Sequence, residues 1–139
     1  MALDPLLAED VRHWFQLALE DLSAARGLCQ LAQPLPSAAM FHCQQSVEKT
    51  YKGMLLLNSE PFKKTHSLWE LSISLLGHYP HLSPHFDSLE FLQDYAVEFR
   101  YPTKQKKPDL LTAQRAIGLI EAAFSVFTSE VPAEVRVAT

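Results

Sequence analysis

Glycine is scarce in this chain of 139 residues, with four in all, and only two cysteines occur. So little glycine argues against strands joined by glycine turns. Cys29 and Cys43 sit inside apolar-periodic segments without the paired spacing of a zinc site, so they read as reduced core residues rather than a disulfide or a metal centre. Also missing are a Gly-rich phosphate loop, a Gly-x-Ser-x-Gly elbow and a short helix pair with a basic recognition face. These absences exclude the P-loop nucleotide binders, the α/β hydrolases and the helix-turn-helix readers of DNA. No basic-then-apolar leader opens the sequence, and no apolar run approaches the ~18 residues that span a bilayer, so a cytoplasmic protein without a membrane partner is expected. The formal charge of −4 leaves no cation excess for coating nucleic acid.

Apolar residues are plentiful, at 47%, and suffice for one core without disulfides. The nine prolines fall mostly between apolar-periodic stretches, which predicts helices cut by proline-marked loops. The fold class expected is all-α, an up-and-down antiparallel bundle of about five helices over residues 8–128, with 1–7 and 132–139 as flexible termini. Helix one carries Val11, Trp14, Ala18, Leu22, Ala25, Cys29 and Ala32 on one face and ends by Pro34 and Pro36. Helix two, capped by Ser37, has Met40, Val47, Tyr51 and Met54 on its apolar side. Helix three starts at Thr65 or Ser67, where Ser67 and Glu70 form a capping box. Helix four carries Phe86, Leu89, Leu92, Ala96 and Phe99 and stops near Tyr101, before Pro102. Helix five follows the cap Asp109, with Leu110, Ala113, Ile117, Ile120, Phe124 and Phe127 on one seam. Leu19, Leu56, Leu57, Trp69 and Phe91 fall off these seams, and a second copy of the chain could cover part of that surface.

Three polar features could carry chemistry. On helix two, Gln45, Glu48, Lys49 and Lys52 are spaced to share a face; they could meet a ligand, or serve as a solvated face in which Glu48 and Lys52 are an i,i+4 pair. Arg100 falls at the end of helix four, where it could answer the helix dipole or clamp a phosphate, and Lys104, Lys106 and Lys107 follow it in a loop without acids. His66 comes after Lys63 and Lys64 at the start of helix three, where an imidazole, two ammonium groups and first-turn amides could converge on an anion. Eight of the twelve Lys and Arg residues lie between Lys49 and Lys107, so a local anion site fits an acidic chain. His78, His81 and His85 lie in a loop broken by Pro80 and Pro84, which gives no zinc-ligand geometry, and no metal or other cofactor is expected.

Trp14, Ala18, Asp21 and Leu22 in helix one, Phe41, Gln44, Gln45, Glu48 and Lys49 in helix two, Thr65-His66-x-Leu68, and Arg100-Tyr101-Pro102 occur in an order and spacing that resembles the HEPN domain family. The resemblance covers about residues 8–128. It implies a helical homodimer with the ends of helices two and four lining a cleft. Members of that family include metal-free endoribonucleases, often toxins, and partners of small nucleotidyltransferases in toxin-antitoxin modules. In the ribonuclease branch an arginine is followed, after four to six residues, by a histidine. Here Gln105, Lys106 and Lys107 stand in those places, and none offers an imidazole to exchange a proton near neutral pH.

The reading is therefore a non-catalytic nucleotide- or RNA-phosphate-binding module, with Gln45, Lys49, Lys52, His66, Arg100, Lys104, Lys106 and Lys107 as site residues, no catalytic residue, and a nucleotidyltransferase-type partner. The alternatives are an active ribonuclease toxin that uses His66 or a lysine, and a purely structural interaction module.

Overall fold

The computed structural model describes residues 2–61, 64–96 and 107–138, and among them five α-helices and no strand occur. α1 (Pro5–Cys29) starts on Asp4, whose carboxylate accepts from the Leu7 amide at 3.3 Å, with proline in the first turn. Its buried residues Ala8, Val11, Phe15, Ala18, Leu22, Ala25 and Cys29 alternate steps of three and four, the seam of a bundle helix. Phe15, not Trp14, sits in that seam, and Ala32 lies beyond the helix and exposed.

α2 (Pro36–Leu57) packs against α1, α3 and α5. It starts without a side-chain cap: Leu35 holds the cap position, Pro36 presets the first helical φ, and Ser37 falls inside the first turn rather than before it. Buried residues run almost continuously from Thr50 to Leu55 and include Lys52, so α2 is a central helix covered on several sides. Gly53 permits this, because a Cβ there would stand 2.7 Å from the Phe15 ring of α1 and 3.1 Å from Trp14 Cβ. At its C-terminus Ser59 takes a left-handed φ of 54°, the Ser59 amide donates to Leu56 O at 3.0 Å, and the Glu60 amide donates to Leu55 O at 2.9 Å. This Schellman turn, with serine in the place glycine usually holds, redirects the chain toward His66.

α3 (Leu68–Leu76) is capped as expected, with Ser67 Oγ accepting from the Glu70 amide at 3.2 Å. The predicted fourth helix splits into α4 (Ser83–Leu89) and a 3-10 segment, Glu90–Tyr95. Phe86, Leu89, Leu92 and Tyr95 recur every third residue, the repeat that a 3-10 helix stacks on one side. Phe99, Tyr101 and the predicted stop lie outside the described residues. α5 (Leu110–Ser129) begins at Asp109, whose carboxylate accepts from the Thr112 amide at 2.8 Å. By length and composition α5 is apolar enough to cross a membrane, which the sequence reading did not register; Ala113, Ala116, Ile117, Ile120, Ala123, Phe124 and Phe127 go into the bundle core.

The two ends are not loose throughout. Residues 5–7 already belong to α1, and beyond α5 the chain turns back so that Val131 and Val135 are buried. Arg12 of α1 donates to Glu134 O at 2.6 Å, and burial of Val135 gives this last turn an apolar reason to dock. Leu19, Leu56 and Leu57 pack partly against the core, whereas Trp69 and Phe91 stay exposed. Burial pushes the Cys43 thiol up to about 12, with Cys29 adding a smaller effect, so it is held protonated as a core residue. Both cysteines are free and buried.

Candidate functional site

The polar stripe of α2 is not a solvated face. Because α1 and α3 cover this helix, Glu48 and Lys52 are buried and Lys49 is partly buried, and all three find partners inside the bundle. They do so in two groups, each with one carboxylate shared by a lysine and a histidine.

The first group joins α1 to α2. Asp21 accepts from Lys49 Nζ at 2.5 Å through one oxygen and lies 2.8 Å from His42 Nδ1 through the other. Beside it, Ser46 Oγ donates to Ala18 O at 2.8 Å. The interface between the two helices thus takes up Lys49, which was expected to face a ligand beside Lys52.

The second group joins α2 to the loop before α3. Glu48 has a side chain only 4% exposed, paired with Lys52 Nζ at 3.2 Å, and Lys52 itself stands 5.9 Å from the Trp14 ring centroid. Gln44, fully buried, donates from Nε2 to Glu48 Oε1 at 3.3 Å and to His66 O at 3.4 Å, and Gln45 Nε2 donates to Gln44 Oε1 at 2.7 Å. His66 completes the group: its Nδ1 lies 3.1 Å from both oxygens of Glu48. Its side chain is nonetheless 74% exposed, so the anchored edge of the ring points inward and the other edge meets solvent. Thr65 Oγ1 accepts from the Ser67 amide, and Gln93 Oε1 accepts from the Leu68 amide at 2.6 Å, which fixes the short loop around the histidine.

The structure therefore brings Gln45, Lys52 and His66 into one hydrogen-bonded network and sends Lys49 to another. Lys107 is exposed; Arg100, Lys104 and Lys106 lie outside the described residues. Sequence reasoning missed the parts of Gln44, Asp21 and His42. For Gln44 the signal was present, since Gln44, Glu48 and Lys52 recur every fourth residue along one side of α2.

Of the other histidines, His78 Nε2 pairs with Glu60 at 3.1 Å and His81 Nε2 with Glu130 at 2.9 Å, while the His85 ring packs edge-on against Phe127. Among the described residues no group of three or more His, Cys, Asp or Glu side chains is placed to hold a metal ion. A separate groove of about 780 Å³ is lined by α1 and α5, with the ion pair Arg26–Glu121, and by Arg136 and Val137 of the C-terminal segment.

Residues 11–130 match the HEPN domain family, which is most of the chain, and the chain belongs to that family. No curated protein and no solved structure matches it.

Proposed function

From this HEPN membership, and from the imidazole that Glu48 holds open at the start of α3, we propose that the protein is a non-catalytic module that binds a nucleotide or an RNA segment through phosphate. It works in the cytoplasm as a homodimer beside a nucleotidyltransferase-type partner, in a system of the toxin-antitoxin kind. The observation that carries the reading is His66. An exposed ring tied by one nitrogen to a buried carboxylate is already oriented, so a ligand meets it with little ordering cost. Lys64 is exposed two residues away, and Lys107 is exposed before α5. Arg100, Lys104 and Lys106 supply the remaining cations in sequence, with the fork of Arg100 suited to a bidentate phosphate contact. The non-catalytic half rests on Gln105, Lys106 and Lys107, which stand where the ribonuclease branch carries histidine.

Titration of a mononucleotide panel and a short fluorescent RNA against wild type and Arg100→Ala, with RNA integrity followed in the same tubes, tests the reading. Expected are intact RNA and binding weakened at least ~10-fold in the variant, the loss of one charge-assisted contact. Cut RNA would replace the non-catalytic half with the ribonuclease reading, and absence of binding would remove the phosphate site. A scattering mass near the 15.7 kDa of one chain would remove the dimer.

A further inference from the structure

The contact between His66 and Glu48 bears on which nitrogen of the ring carries hydrogen. Glu48 receives the Lys52 ammonium on Oε2 at 3.2 Å and the Gln44 amide on Oε1 at 3.3 Å, so its oxygens act as acceptors. His66 Nδ1, at 3.1 Å from both oxygens, must then be the donor. In the neutral ring this leaves Nε2 bare, a lone pair facing water that accepts hydrogen bonds and gives none. Phosphodiester oxygens also only accept. The two meet as bonding partners only when a proton is added to Nε2, and Glu48, directly behind the ring, offsets the charge so created.

We propose that phosphate binding at His66 is coupled to uptake of one proton on Nε2, so that the site takes the anion and a hydrogen ion together. The proton comes from solvent and stays on the ring as the donor to a phosphate oxygen; no covalent bond forms or breaks. The group Glu48, Lys52 and neutral His66 sums to zero charge and becomes +1 when Nε2 takes the proton. Among the described residues the other charged groups on the surrounding elements are Lys49 on α2, Lys64 in the same loop, Glu70 on α3, and Glu90 and Asp94 on the 3-10 segment, and only Glu48 bonds to the ring. A lysine, already protonated near neutral pH, would bind the same anion with no such uptake. This inference rests on the phosphate-binding reading above and adds a proton stoichiometry to it.

Calorimetric titration of the full chain with a short oligouridylate, whose diesters carry no proton to lend, tests the coupling when run near neutral pH in HEPES and in Tris. The observed heats should differ between the buffers in proportion to their ionisation enthalpies, corresponding to up to one proton per site, and the affinity should rise as the pH is lowered. His66→Gln should bind more weakly with identical heats in both buffers. Lys64→Ala should also bind more weakly while keeping the buffer difference. Nitrogen-15 spectra of the free protein should show the hydrogen of neutral His66 on Nδ1. Binding by the wild type with equal heats in both buffers, or a neutral ring protonated on Nε2, overturns the proton coupling and leaves the binding reading intact. No binding in either buffer overturns both.

Discussion

The two clusters that α2 builds with its neighbours, each around one carboxylate, use the same parts and differ in where they open. Asp21, His42 and Lys49 close the seam between α1 and α2, and the His42 side chain is 31% exposed. Glu48, Lys52 and His66 have a more deeply buried carboxylate and ammonium, yet the histidine is 74% exposed. In the first group each member holds another in place. In the second, two buried members hold up a third that is turned outward. A fold that needed only to neutralise Glu48 had Lys52 for that purpose, so the projecting imidazole is the feature that stability alone does not ask for.

Breaking the deeper group at its centre should have the largest effect. Glu48→Ala leaves the buried Lys52 ammonium without its carboxylate and should cost about 3 kcal/mol in denaturant unfolding, whereas Asp21→Ala, with more solvent at hand for Lys49, should cost about 2 kcal/mol. Equal losses would mean that the difference in burial is energetically empty. Next comes the close approach that brings α1 over α2. Gly53→Ala places a methyl against the Phe15 ring and should destabilise by about 1–2 kcal/mol, read by the same melt. No loss would show that Phe15 swings aside freely. The smallest effects separate the two histidines: His42→Gln should cost about 1 kcal/mol and His66→Gln less than about 0.5 kcal/mol, since an exposed ring contributes little to folding. A His66 loss as large as that at His42 would make the open histidine structural.

Much of the bundle was readable from local chemistry. Ser67 with Glu70, and Asp109 before an apolar seam, announce helix starts because a cap is decided within four residues. The core of α1 followed from a three-four spacing, although Trp14 and Phe15 exchanged places, since adjacent aromatics let either one face the seam. The break of helix four was harder to see, because an apolar residue at every third place fits an α-helix nearly as well as a 3-10 turn. The burial of the α2 stripe was not readable, although the recurrence of Gln44, Glu48 and Lys52 was. Spacing shows that Glu48 and Lys52 are neighbours, but whether water or protein covers them depends on Trp14 of α1 and His66 before α3, which arrive from elsewhere. For the same reason His66 was legible as a candidate anion contact, while its anchoring by Glu48 was not.

Because α2 is enclosed, its polar residues also limit which substitutions each of them can take. A lone change at Gln44, Glu48 or Lys52 strands a buried partner, so such changes are survivable chiefly in matched sets. His66, held at one edge only, can be exchanged without that penalty to the fold and is free to follow whatever the ligand demands.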